Sequence, residues 1–213
     1  MKLKATSLAA TLILGLIPAV CHAQDFSADV MYVATHKPDA PTAGTGTSTH
    51  PSSKLYVSKD QMRLETRGLA ETVLLVNGAE HTADALFPAR KAYQPLATVP
   101  SEYFGVQDVE NACPDWQKTA DQKIACEKVG HEVVDGRRAI KYQNKGASDD
   151  ATAAVWIDLT LKFVSKWQNA STGAELRNIK EEQQAADLFA VPAAYKLLQP
   201  QKAKSKGFSQ KSR

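Results

Sequence analysis

The stretch from residue 54 to residue 76 has the sequence KLYVSKDQMRLETRGLAETVLLV. Residues 54–58 are predicted as a short strand, and apolar and polar residues alternate in 62–66, which is the period of a strand with one buried face. Lys59-Asp-Gln61 separates the two as a turn. Residues 72–76 are continuously apolar and fit a strand buried on both faces. This stretch therefore predicts neighbouring antiparallel strands.

The same patterns recur on both sides of this stretch. Asn77-Gly78 and Asp135-Gly136 are tight hairpin-turn dipeptides, and Ser171-Thr-Gly173 is predicted as a further turn. We count about nine to eleven strands in hairpin order, at the spacing of an all-β protein. The remaining predicted strands are Phe26–Tyr32, His81–Leu86, Ala92–Leu96, Cys126–Val134, Arg137–Asn144, Ala153–Leu159, Phe163–Asn169 and Ala174–Glu181.

Helical signals are short. Residues 101–128 are helical or irregular, and Asp187–Pro192 indicates a short helical turn or an edge segment. Long helices between strands are missing from the pattern, which disfavours a parallel sheet. The predicted architecture is mainly β, a strongly curved antiparallel sheet with short helices over one side.

The N-terminus has the features of a secretory signal peptide. Lys2 and Lys4 precede an uncharged run from Leu8 to Val20, and Ala23 is a small residue at a cleavage position. We therefore predict a signal peptide over residues 1–23 and a soluble mature protein that is periplasmic or secreted. The alternative is a lipoprotein anchored through Cys21, which Pro18-Ala-Val20 fits badly.

Cys113 and Cys126 are the cysteines that remain after cleavage. An even pair in an oxidising compartment predicts a disulfide. The rival interpretation is a redox-active pair, but the spacing is not C-x-x-C.

An excess of positive charge lies at the C-terminus. The chain has 213 residues and a formal net charge of +3, too small to indicate a nucleic-acid-binding protein. Residues 199–213 contain five basic residues and no acidic one, which predicts a disordered basic tail. Such a tail either contacts anionic membrane lipids or is simply solvated. One domain, residues 24–198, is expected between signal peptide and tail.

The sequence lacks the common catalytic and phosphate-binding motifs. It contains no G-x-S-x-G, no P-loop and no G-x-G-x-x-G. The histidines of the mature chain lack metal-ligand spacing, and Asp149-Asp150 lies in a polar loop. The prediction is a protein that is not an enzyme and has no metal or cofactor. An enzyme whose site comes together only in the fold is the weakest hypothesis.

The remaining candidate for function is apolar surface on the inner side of the sheet. A curved sheet that does not close must fill that side with its own side chains or keep a hollow for an apolar ligand. An aromatic residue on a strand serves either purpose, so core and cavity wall both stay open. The candidate wall residues are Phe26, Val30, Tyr32, Leu74, Val76, Phe87, Trp156 and Trp167.

The order of these segments resembles a known family. Residues 54–58 with Met62-Arg-Leu-Glu65, then Leu86-Phe-Pro88, then 126–137 follow each other as in the outer-membrane lipoprotein carrier superfamily (LolA/LolB-like). Further matching segments are Thr72–Val76, Lys91–Tyr93, Ala139–Tyr142, Ala154–Asp158, Asn178-Ile179 and Phe189–Tyr195. The similarity spans most of residues 26–198 and is greatest to an uncharacterised exported branch.

This resemblance implies an unclosed β half-barrel capped by helices, with an apolar hollow. In the carriers that hollow shelters lipoprotein acyl chains. The implied function is non-enzymatic binding of a lipid or a lipidated protein. The alternative is an envelope stress sensor or protein-interaction module with a filled core.

Overall fold

The computed structural model describes residues 25–34, 53–67, 71–97, 105–114, 125–145, 153–169 and 172–198. These residues form twelve strands, slightly more than the number predicted. The strands are β1 (Phe26–Ala34), β2 (Ser53–Ser58), β3 (Gln61–Thr66), β4 (Thr72–Asn77), β5 (Thr82–Phe87), β6 (Ala92–Pro95), β7 (Ala125–Val134), β8 (Arg137–Lys145), β9 (Ala153–Asp158), β10 (Phe163–Gln168), β11 (Thr172–Glu181) and β12 (Lys196–Leu197).

All twelve strands belong to one sheet, in the order β12-β6-β5-β4-β3-β2-β1-β11-β10-β9-β8-β7. Neighbouring strands are antiparallel, except that β12 runs parallel to β6. The first strand lies between β2 and β11, so it joins the two halves of the chain. β12 and β7 are the two edges, and the sheet is not closed into a barrel. The predicted mainly antiparallel, unclosed sheet is confirmed.

Local sequence explains the strands and their turns. Apolar residues at alternate positions of these strands are buried, namely Leu55 and Val57 in β2 and Phe26 and Ala28 in β1. Asp135 and Gly136 have φ angles of 48° and 76°, the left-handed conformation that a two-residue hairpin turn requires. The turn predicted at residues 171–173 is wrong for Thr172 and Gly173, because both belong to β11 and pair with β1.

The sheet bends so that its inner face surrounds the main core. One cluster contains Val76 of β4 together with Phe163 of β10, although four strands separate β4 from β10. In a flat sheet these strands lie about 24 Å apart, given about 4.8 Å per strand. Contact through a single cluster therefore requires strong curvature.

The outer face carries two smaller clusters. Val73, Leu75 and Leu86 pack against Val191 and Tyr195 of the C-terminal segment. That segment is also fixed by the Arg63 guanidinium, which donates a hydrogen bond of 2.9 Å to the Leu188 carbonyl oxygen. The second cluster groups Val134, Ala139 and Trp156 near the β7 edge.

The predicted cap of short helices is not confirmed. The helical segments of the described residues are two 3-10 turns, Pro88–Arg90 and Ala186–Phe189, and two helical residues at 113–114. Residues 105–114 instead cover the inner face of β8 to β10 as an irregular strap. Within the strap, the Asp108 carboxylate accepts a hydrogen bond of 2.9 Å from the Glu110 amide. Local bonds of this kind between a side chain and the backbone compete with helix formation.

Several predictions concern residues outside the described ranges. These are the signal peptide (1–23), the Asp149-Asp150 pair and the basic tail (199–213). Among the described residues, no helix has the length and apolar character needed to cross a membrane.

Candidate functional site: an apolar hollow

The inner face of the sheet encloses a hollow of about 260 Å³ between β2–β4 on one side and β1, β11 and β10 on the other. Two rows of cross-strand neighbours form its walls. Leu55, Leu64 and Leu74 are paired across β2, β3 and β4. Tyr32, Ala174 and Trp167 are paired across β1, β11 and β10. The other residues that line it are Val30, Met62, Phe163, Val164, Ser165, Lys166, Glu175 and Leu176.

The two charged lining residues direct their charges away from the hollow. The Lys166 ammonium lies 3.6 Å from the Glu175 carboxylate and 4.7 Å from the centre of the Trp156 ring. Trp156 is the cross-strand partner of Lys166 and belongs to an outer-face cluster. Successive side chains of a strand point to opposite faces, so Trp167 and Ala174 face inward while Lys166 and Glu175 face outward. The interior of the hollow is therefore apolar.

The hollow is accessible from solvent. Tyr32 is 43% exposed, and Leu64, Leu74 and Trp167 are only half-buried. Large apolar side chains that stay partly exposed inside a concave site are typical of ligand pockets. The side chains of the described residues thus leave part of the inner face open.

The wall residues predicted from the sequence are divided among four places. Val30, Tyr32, Leu74 and Trp167 line the hollow. Phe26 and Val76 lie in the core cluster behind it, where Phe26 packs edge-to-face on Phe163 at 5.3 Å. Phe87 is half-buried at the end of β5, and Trp156 is on the outer face; neither is among the residues of the hollow.

Trp156 is held on the outer face by a polar network. Its indole Nε1 donates a hydrogen bond of 2.6 Å to Glu132 on β7, and Lys141 on β8 lies over its ring. The hydrogen bond from Trp156 lowers the pKa of Glu132; burial opposes that shift, and Lys141 adds to it. These contacts explain why a large aromatic residue on β9 is buried away from the hollow.

Sequence reasoning missed Leu55, Met62, Leu64, Phe163 and Leu176 as wall residues. The sequence did contain a sign of their inward orientation, because each lies at an alternating apolar position of a predicted strand. Alternation assigns residues to a face, however, and does not tell which strands meet across a bend.

A second, polar cavity of about 400 Å³ adjoins the hollow. It is formed at one end of the sheet by the β2–β3, β4–β5 and β9–β10 turns and the start of the strap. Lys59, Asp60, Gln61, Gln107 and Lys162 supply its polar side chains. Met62 and Phe163 line both cavities, so they form the boundary between them.

The predicted disulfide is formed between Cys113 and Cys126, with 5.6 Å between the Cα atoms. It ties the strap to edge strand β7. The Tyr142 hydroxyl of β8 also holds the strap, because it donates a hydrogen bond of 2.8 Å to the Val109 carbonyl oxygen. Burial raises the pKa of Tyr142, and the hydrogen bond from the Ala112 amide partly offsets that rise.

No group of three or more His, Cys, Asp or Glu side chains is placed to hold a metal ion within the described parts of the chain.

Comparison with known proteins finds matches among solved structures but none among family models or curated sequences. No protein-family model and no curated protein matches the chain. An uncharacterised conserved protein from Thermus thermophilus matches 83% of this chain and 90% of its own, with 8% identity and a TM-score of 0.51. MucB of Pseudomonas aeruginosa, solved with MucA, matches 80% of this chain with 9% identity and a TM-score of 0.47; only 56% of that chain is covered.

A LolA superfamily protein from Nitrosomonas europaea is also among the matches. The match covers 79% of this chain and 90% of the other, at 10% identity and a TM-score of 0.33. The match is a likeness of fold alone. The superfamily that the sequence resembles is thus represented among the structural matches, which carry no information about a ligand.

Proposed function

We propose that this LolA-like protein is a non-enzymatic binding protein that holds one acyl chain of a lipid or a lipidated protein in the apolar hollow. The single observation that carries the proposal is the hollow itself. Its walls are leucine, aromatic and other apolar side chains, and its two charged neighbours point outward. Covering such a surface with an alkyl chain is favourable because it removes apolar area from water.

The size of the hollow favours a single chain. Its volume of about 260 Å³ lies just below the range of typical ligand cavities, which is roughly 300–1,000 Å³. Each methylene buried contributes about 0.8 kcal/mol, so apolar contacts alone favour binding of an acyl chain. The sequence resemblance to carriers of lipoprotein acyl chains supports the same class of ligand.

The proposal includes the cellular location predicted from the sequence. Removal of residues 1–23 would release a periplasmic or secreted protein that begins at Gln24, and residues 199–213 would contact anionic membrane lipids. The intact mass of the protein purified from the periplasm tests the cleavage site. A mass that retains residues 1–23, or that includes a diacylglyceryl group on Cys21, would contradict this part of the proposal.

Native mass spectrometry of the periplasmic protein, followed by lipid extraction, tests acyl binding. We expect co-purified acyl species on the wild-type protein. Leu74→Trp adds bulk inside the hollow and should remove them. Leu159→Trp is the matched control, because Leu159 is an equally half-buried leucine that packs on the neighbouring cluster outside the hollow. A wild-type protein without acyl species, or equal occupancy in both variants, would contradict the proposal.

An alternative function, peptide binding, has one observation in its favour. Edge strand β7 exposes Val129 by 50% and Val133 by 69%, and no described strand pairs with its outer side. Long edge strands with exposed apolar residues are templates for an added strand. Val133→Lys should abolish capture of a protein partner while leaving acyl occupancy unchanged if the edge is the functional surface.

A further inference from the structure

The polar cavity lies directly against the apolar hollow. Met62 and Phe163 line both, and among the described residues they are the two that the cavities share. Met62 has an unbranched, flexible side chain that rearranges at little cost, so the boundary can open around a ligand. One molecule with an apolar chain and a polar head would then occupy both cavities.

The polar cavity has the chemistry of a head-group site. Lys59 and Lys162 contribute two positive charges and Asp60 contributes one negative charge. Gln61 and Gln107 add amide groups that donate and accept hydrogen bonds. Among the described residues, Lys59 and Lys162 have no ion-pair partner. Two such ammonium groups at the end of an apolar site favour a negatively charged head.

The backbone holds both lysines in place. Lys59 and Lys162 occupy left-handed turn positions, with φ angles of 52° and 50°. Lysine is not favoured in this conformation, in which glycine and asparagine are the common residues. The Lys162 amide donates a hydrogen bond of 2.9 Å to the Asp158 carbonyl oxygen, and its own carbonyl accepts one of 2.9 Å from the Val106 amide of the strap. These bonds fix the β9–β10 turn beside the cavity.

We infer that the protein binds single-chain anionic amphiphiles, with the acyl chain in the hollow and a carboxylate or phosphate head between Lys59 and Lys162. This inference rests on the proposed function and specifies its ligand class. The head group adds selectivity, since the apolar hollow alone does not distinguish a charged lipid from a neutral one of the same chain length.

Calorimetric titration of the delipidated wild-type protein tests the inference. Three sixteen-carbon probes are compared at low salt, below their micelle concentrations: palmitate, palmitoyl lysophosphatidylglycerol and neutral monopalmitoylglycerol. We expect at least one anionic probe to bind about tenfold more tightly than the neutral probe, with a preference that decreases as salt is added. The probe that shows the preference identifies carboxylate or phosphate as the head group.

Matched variants assign the preference to the two lysines. Lys59→Asn with Lys162→Asn removes both charges with a residue that tolerates left-handed backbone, and should reduce anionic binding to the level of the neutral probe. Lys91→Asn is the control, because Lys91 is an exposed turn lysine with φ 45° outside both cavities. Equal binding of all three probes by the wild-type protein would overturn the inference and leave the proposed function standing. Binding of none of them would overturn both.

Discussion

Asp158 is a fully buried carboxylate at the end of β9, and its partners determine the local structure. It is 1% exposed and accepts hydrogen bonds from the backbone amides of Thr160 and Leu161 at 2.8 and 2.9 Å. The Arg137 guanidinium donates to both of its oxygens and also pairs with Glu181 at 2.7 Å. The hydrogen bond to Asp158 raises the pKa of Arg137. This arrangement orders the turn that carries Lys162.

Arg137→Met should destabilise the protein by about 3 kcal/mol. Removing one partner of a buried ion pair leaves an uncompensated charge, which typically costs about 3–5 kcal/mol; the two remaining amide hydrogen bonds place this case at the lower end. Urea unfolding measures the change. Arg177→Gln is the control, because Arg177 is 48% exposed and exposed pairs contribute about 1 kcal/mol or less. Equal losses in the two variants would contradict this account.

Glu132 should make the protein sensitive to acid. Its pKa in the folded state is below the ordinary value of 4.5, so its interactions stabilise the fold fully above that value. The contribution is lost as the pH falls below 4.5 towards the lowered pKa. Glu132→Gln should therefore flatten the stability profile over this range, measured by urea unfolding at a series of pH values. Glu80→Gln, in the exposed β4–β5 turn, should retain the wild-type profile.

At the scale of elements, the local pattern of apolar residues was sufficient to locate every strand except β12. The strand pattern is local, because it needs only residues two positions apart, such as Leu55 and Val57 or Phe26 and Ala28. Asp135-Gly136 defines its hairpin through φ angles that few residue pairs adopt. The strap was not predictable in the same way. Its conformation depends on the disulfide and on contacts with Tyr142, which is about 30 residues away in sequence.

Loss of the disulfide should loosen the strap more than the rest of the sheet. Cys113 and Cys126 are 13 residues apart, and closing a loop of this size contributes about 3 kcal/mol on the chain-entropy model. In Cys113→Ser with Cys126→Ser, we expect faster hydrogen exchange at the Val106 and Ala112 amides, which bond to Lys162 and Tyr142. Amides of β2 and β3 should change little.

The control for this prediction is the wild-type protein under reducing conditions. Dithiothreitol should reproduce the exchange pattern of the double variant. Unchanged protection of Ala112 in both samples would mean that the disulfide does not hold the strap.

At the scale of the whole molecule, pairing between β1 and β11 creates the site. Val30 is paired with Leu176 and Tyr32 with Ala174, and all four residues line the hollow. About 145 residues separate these partners in sequence. A repeating pattern shows which side of a strand is apolar but not which distant strand is its neighbour, because that choice depends on the curvature and register of the complete sheet. This is why four of the candidate residues lie at the hollow, although the hollow itself could not be defined from the sequence.

Filling the hollow should stabilise the whole fold. Apolar atoms that face empty space lack partners for dispersion contacts, and a ligand that binds only the folded state shifts the unfolding equilibrium. At a free palmitate concentration of about 100 times its dissociation constant, we expect about 2.7 kcal/mol of added stability, measured by urea unfolding with and without palmitate. Leu159→Trp should show the full gain and Leu74→Trp none, because only the second substitution occupies the hollow. A gain in Leu74→Trp equal to that of the wild-type protein would mean that palmitate binds elsewhere on the surface.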